Sequence, residues 1–102
     1  MEITSMTKFN GTEFLLGKIP MEWLTRAYKA SSRGSSVFVA LILHRLWVIN
    51  KHQPFKFTDI ECERRGINRH KKYRSLAALE KAGLIEILER RNGANPIVAI
   101  KQ

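Results

Sequence analysis

The sequence predicts one mainly α domain with a small β-hairpin, and three stretches carry that prediction. Eleven of the thirteen residues from Val37 to Ile49 are apolar, the mark of a helix central to a core or shared with another subunit. Farther on, Asn68 and Gly83 bracket an amphipathic run with a capping residue and a C-terminal stop. Past Gly83, "LIEILERR" and "PIVAIK" are rich in branched apolar residues and flank the hairpin signal "NGAN".

Taken in order, residues 1–18 are weakly patterned, and a flexible start with one extended piece at Glu13 to Leu16 is expected. "IPMEWLTRAYKA" reads as a short helix with Pro20 in its first turn and Trp23, Leu24, Ala27 and Tyr28 on one stripe. "SSRGSS" breaks the chain, and Ser35 or Ser36 can cap the apolar helix that runs from Val37 to about Asn50. After "NKHQPF", Phe55-Lys56-Phe57 alternates like a short strand. Thr58 with Glu61 three residues later is a capping-box pattern and starts a short helix to about Arg65. Gly66 suits a tight left-handed connection, and Asn68 caps the helix from Arg69 to Ala82.

The 102 residues suit one domain, with residues 19–102 as its body: a helical part over 19–50, then 55–102. Eighteen Lys and Arg against nine Asp and Glu give a formal net charge of +9, which suits a polyanionic partner, nucleic acid or an acidic membrane. Cys62 is the only cysteine, so neither an internal disulfide nor a Cys-based zinc site can form. That fits a reducing cytoplasm. The opening residues lack the order of a signal peptide, and the longest apolar run is too short to span a bilayer.

Thr58 to Gly83, followed by the Leu84 to Lys101 hairpin, resembles the winged helix-turn-helix domain of bacterial transcription regulators. The matching residues are Gly66 and Ile67 in the turn, Arg74, Leu76, Leu79-Glu80 and "GLI" at Gly83 to Ile85. They cover about half the chain; their joint order and spacing, not any single piece, make the match specific for fold. "GKIPMEWL" followed by the apolar helix also looks like a group of small bacterial winged-helix proteins, which implies no target. The expected fold is therefore a winged helix-turn-helix with an N-terminal helical extension. Two features depart from the pattern. Lys72 stands where such domains usually place an apolar residue, and its stem can lie across that surface with its head wet. The short helix is polar, with only Ile60 and Cys62 able to pack inward.

On a helical wheel, Leu76, Leu79 and Gly83 share one face of the Arg69–Ala82 helix, flanked by Tyr73. His70, Lys71, Arg74, Ala78 and Lys81 share the other, and no acid interrupts them. A purely solvated face more often mixes both signs. From Arg64 to Arg74 the chain carries six Lys or Arg and no Asp or Glu, and such a cluster repels itself unless it is screened or paired with anions.

The major groove of B-DNA admits an α-helix, whose N-terminal residues read base edges. Arg74 is the leading candidate for a base contact, because a guanidinium pairs with guanine O6 and N7 together; His70 and Lys71 follow. Lys72, Arg69 and Lys81 are candidates for phosphates. Asn68 is a cap first and a positioning contact second. Thr58 and the N–H groups behind it could hold a phosphate. The resemblance implies a second contact at the hairpin tip, Arg90 to Asn95, over the backbone or in the minor groove, with Arg90, Arg91, Asn92 and Asn95 as its residues. The plainer alternative is a soluble hairpin whose two arginines discourage edge pairing.

The expected function is sequence-specific binding of double-stranded DNA by a transcriptional regulator without cofactor or evident effector. A homodimer is expected through Phe38, Leu41, Ile42 and Trp47; the alternative is a monomer whose own chain wraps that helix. A replication or partition factor of a mobile element would use the same fold on repeated sites. A winged-helix protein-interaction module would lose little when Lys71 and Arg74 become Glu. An RNA binder would want an aromatic stacking platform, which the wheel does not supply. His44, His52 and His70 are too scattered for a metal site, His44 reading as packed or capping. No paired carboxylates, phosphate loop or Ser/His/Asp grouping points to an enzyme.

Overall fold

The computed structural model describes residues 13–30, 34–89 and 95–102. Among them are four helices, α1 Met21–Ala30, α2 Gly34–Ile49, α3 Asp59–Glu63 and α4 Arg69–Lys81, and three strands, β1 Phe55–Lys56, β2 Ile85–Glu89 and β3 Ile97–Ile100. The strands form one antiparallel sheet in the order β1–β3–β2. The fold is thus mainly α with a small three-stranded sheet.

Local chemistry sets most of these boundaries. Thr58 caps α3, its Oγ1 accepting from the Glu61 N–H at 3.4 Å. Asn68 caps α4 more tightly, its Oδ1 accepting from the Lys71 N–H at 2.8 Å. Gly66 and Gly83 take φ of +82° and +78°, a region where a Cβ is strained, and so close the turns after α3 and α4. At the end of α2, the His52 N–H reaches the Trp47 carbonyl at 2.8 Å and the Lys51 N–H reaches that of Val48 at 3.0 Å. That wrap forces positive φ on two ordinary residues, Lys51 and His52.

The core lies between α2, α4 and the sheet. Val39, Leu43, Phe57, Leu76, Leu79, Leu84, Ile85 and Val98 are fully buried in it. Trp23 fastens α1 to that body: its indole N–H donates to the carbonyls of Leu84 at 3.2 Å and Lys101 at 3.0 Å. Arg26, one turn on, donates to the carbonyl of Ala82 at the end of α4. In β2 the register passes from Ile87 opposite Val98 to Glu89 opposite Ile97, so Leu88 is the extra residue of a bulge and its side chain is exposed.

Several expectations need correction. Glu13 to Leu16 forms no strand. Tyr28 is exposed; it lies about 100° around α1 from Ala27, at the outer edge of its stripe. Ile60 is 64% exposed while Cys62 is buried, because residues two apart on a helix point to nearly opposite sides and so short a helix has one inward face. Ile42 belongs to the chain's own core, and Trp47 is partly buried against it. Of the four residues expected at a dimer interface, only Phe38 is exposed; Leu41 and Trp47 are half-buried and Ile42 is buried.

Candidate nucleic-acid interface

The basic stripe is present on α4. Arg69, His70, Lys71 and Lys81 are exposed, and Arg74 and Ala78 are half-exposed between them. His70, Lys71, Arg74, Ala78 and Lys81 fall within about 100° of arc. Leu76 and Leu79 fill the opposite side, and Ser75 is buried beside them. Arg74 holds its Nη1 3.4 Å from the His70 Nε2, one turn back. Its Nε is buried without a hydrogen-bond partner, so the guanidinium lies along the helix.

The six cations between Arg64 and Arg74 divide into two groups. Four are paired within the chain. Glu13 takes Arg64 at 3.2 Å and Arg65 at 2.6 Å, and also Arg45 at 3.6 Å. Arg65 adds Glu61 at 2.8 Å. Asp59 takes Arg69 at 3.8 Å and Lys72 at 2.7 Å. Lys71 and Arg74 make no ion pair among the described residues, and neither does Lys81. Internal pairing therefore removes much of the self-repulsion that the composition implied, and concentrates the unpaired charge on one face of α4.

Lys72 is the largest correction. It is 0% exposed, neither wet-headed nor available to a phosphate. Its Nζ donates to the Phe57 carbonyl at 2.8 Å, to Asp59 Oδ1 at 2.7 Å and to Asn95 Oδ1 at 3.1 Å, which uses all three ammonium protons. The rings of Phe57 and Tyr73 lie 5.2 and 4.9 Å from the charge. Burying an ammonium is costly unless it is paired and hydrogen-bonded, and here both conditions are met.

The same network corrects two other expectations. The Asn95 side-chain oxygen is committed inward, to Lys72 and to the Asp59 N–H at 3.2 Å. At the start of α3 the Asp59 N–H thus has its acceptor, and the Glu61 N–H has Thr58 Oγ1; Thr58 and these donors are not left over for a phosphate. Asn68 is likewise occupied as a cap. Arg90, Arg91 and Asn92 lie outside the described residues, as does the expected flexible start over residues 1–12.

Sequence reasoning missed Glu13, Asp59 and Asn95 as partners. Glu13 reaches arginines 51 and 52 residues away, and no local pattern announces that. Asp59 carried a hint, because an unexplained lysine in an apolar position asks for a nearby carboxylate.

Two further titratable groups lie in the interior. His44 stacks edge-on to Trp23 at 5.7 Å, and its Nε2 is 3.1 Å from Gln102 Nε2. Burial chiefly, and then the charge of His52, holds its pKa below the usual histidine value. Burial pushes the Cys62 thiol up to about 11, which makes it an inert packing group. No cluster of His, Cys, Asp or Glu among the described residues could hold a metal ion, and no described helix is long and apolar enough to cross a membrane. Comparison with protein families, with curated proteins and with solved structures returns no match for this chain.

Proposed function

We propose that the chain is a winged helix-turn-helix protein that binds double-stranded DNA and acts as a transcriptional regulator. The order helix, strand, helix, turn, helix, strand, strand, with β1 added to the β2–β3 hairpin, supports the fold reading. One observation carries the function: the unpaired basic stripe of His70, Lys71, Arg74 and Lys81 on the outer face of α4, while neighbouring cations are paired within the chain. A helix with that face can enter a major groove, its N-terminal turns toward the base edges. Arg74 and His70 would then read bases together, since their side chains already touch. Arg69 would shift from its 3.8 Å contact with Asp59 to a phosphate.

Selection of bound sequences from a random duplex pool tests this reading. Enrichment of a short motif supports it, and Arg74→Ala should relax preference at one position at a cost of about 1–3 kcal/mol. A pool that stays random over several rounds would contradict it.

A homodimer belongs to the same proposal. Phe38 and Leu41 border a groove of about 280 Å³ that also touches Phe14, Leu15 and Arg45. Exposed aromatic and aliphatic groups around one groove suit a protein contact. In a dimer, two copies of α4 would enter major grooves about one helical turn apart. Phe38→Glu should lower the sedimentation mass to that of one chain, and a wild-type protein that is already monomeric at all concentrations, with and without duplex, would remove the dimer. The same groove is also the feature that favours the alternative of a protein-interaction module. Duplex affinity that is indifferent to Lys71→Glu and Arg74→Glu would select that alternative.

A further inference from the structure

The buried ammonium of Lys72 joins three parts of the chain that are distant in sequence. Its backbone belongs to the first turns of α4, between Lys71 and Arg74 of the basic stripe. Its acceptors are the Phe57 carbonyl just after β1, the Asp59 carboxylate at the first turn of α3, and the Asn95 amide oxygen just before β3. A second bond from the Asp59 N–H to the same Asn95 oxygen closes the ring, and the Phe57 N–H donates to the Pro96 carbonyl at 2.9 Å. An apolar residue at position 72 would fill the space without directing Asn95 anywhere. A lysine fixes the α4 face and the β3 end of the hairpin in one relative placement, because its three N–H groups donate to oxygens in that arrangement.

From this geometry we infer that Lys72 is a positioning residue for duplex binding: it holds the basic face of α4 in one placement against the start of α3 and the β3 end at Asn95, the placement in which that face meets a duplex. The inference rests on the DNA-binding reading. Lys72 itself touches no partner, since its charge is spent inside the chain. Its loss should therefore weaken the binding of a selected site far more than the charge-driven binding of random duplex.

Four proteins test it: wild type, Lys72→Met, Asn95→Leu and Asn95→Asp. Lys72→Met keeps the stem and deletes the ammonium. Asn95→Leu deletes only the hairpin's oxygen and leaves Lys72 two acceptors, so it serves even if Lys72→Met fails to fold. Asn95→Asp returns an oxygen that can accept from both Lys72 and Asp59. Fluorescence anisotropy would give affinity for the selected site and for random duplex, and hydrogen exchange would follow the amides of Phe57 and Asp59. For Lys72→Met and Asn95→Leu the expected result is a loss of about tenfold or more on the selected site, a factor worth about 1.4 kcal/mol. Random-duplex affinity should stay within about twofold, because no exposed charge is removed. Exchange should rise at Phe57 and Asp59 and not in α1 or α2, and Asn95→Asp, whose added carboxylate itself repels duplex, should restore the slow exchange. Folded Lys72→Met and Asn95→Leu proteins that bind the selected site as wild type does would overturn the inference. So would an Asn95→Asp protein whose Phe57 and Asp59 amides exchange as fast as those of Asn95→Leu. A wild-type protein with no duplex affinity would instead overturn the DNA reading, a different and separately visible failure.

Discussion

Deleting the Asp59 carboxylate should be among the most damaging single changes on the surface of this protein. Asp59→Ala leaves the Lys72 ammonium at 0% exposure with two neutral acceptors, the Phe57 carbonyl and the Asn95 amide oxygen, and no adjacent anion. Breaking a buried pair from one side costs about 3–5 kcal/mol. The Asp59 side chain is 31% exposed, so solvent already screens part of the attraction and the low end, about 3 kcal/mol, is expected. Lys72→Met should cost less. The Asp59 carboxylate it strands can rehydrate and keeps Arg69, so the main loss is the bonds at Phe57 and Asn95, about 1–2 kcal/mol. With both changes together, nothing charged is left buried, and the double mutant should be more stable than Asp59→Ala alone. Urea unfolding followed by tryptophan fluorescence reads all four states, with Trp23 buried and Trp47 half-buried as reporters. Additive costs, or an Asp59→Ala cost under about 1 kcal/mol, would refute a paired and desolvated Lys72.

Three further outcomes follow from other sites. His44 has a folded-state pKa below its unfolded value of 6.5, so the unfolded chain binds the extra proton. Its contribution to stability is therefore complete above that value and declines as pH falls below it; urea midpoints between pH 7.5 and 5 should decrease, and His44→Gln should flatten that decrease. Cys62, with its thiol pushed up to about 11 and its side chain buried, should resist alkylation at pH 8 until urea unfolds the chain. Labelling of the native protein at the rate of a free thiol would contradict that placement. Lys51 holds φ at +57°, so Lys51→Gly should stabilise the protein by up to about 1 kcal/mol by relieving left-handed strain, less the entropy that glycine adds to the unfolded chain. A thermal midpoint that falls would show the turn to be unstrained.

What could be read in advance was what short-range chemistry decides. Thr58, Asn68, Gly66 and Gly83 mark helix ends because capping and left-handed turns depend on residues within four positions. The hairpin strands and the outward stripe on α4 follow from side-chain periodicity in the same way. The fate of Lys72 could not be read so. Its acceptors are 13, 15 and 23 residues away, and only the folded chain brings them together. Its departure from the apolar pattern was visible, but whether the charge turned outward or inward depended on Asp59 and Asn95. The cations between Arg64 and Arg74 pose the same problem. Counting them suggests one large patch, yet Glu13 and Asp59 hold four of the six within the chain and leave Lys71 and Arg74 on the stripe of α4. The apolar Val37–Ile49 run divided as well: Ile42 is in the core, while Phe38 stays at the surface.

The central claim is that the unpaired cations of α4 bind duplex DNA. Its most direct measurement is the affinity of the wild type and of Lys71→Glu/Arg74→Glu for duplex across a salt series. The wild type should show log K falling linearly with log salt, by about 0.9 for each phosphate neutralised. The double variant should melt as the wild type does, because neither residue makes an ion pair within the described chain, and should lose most of its duplex affinity and part of the slope. Unchanged affinity and slope in a folded double variant would place the DNA contact elsewhere or remove it.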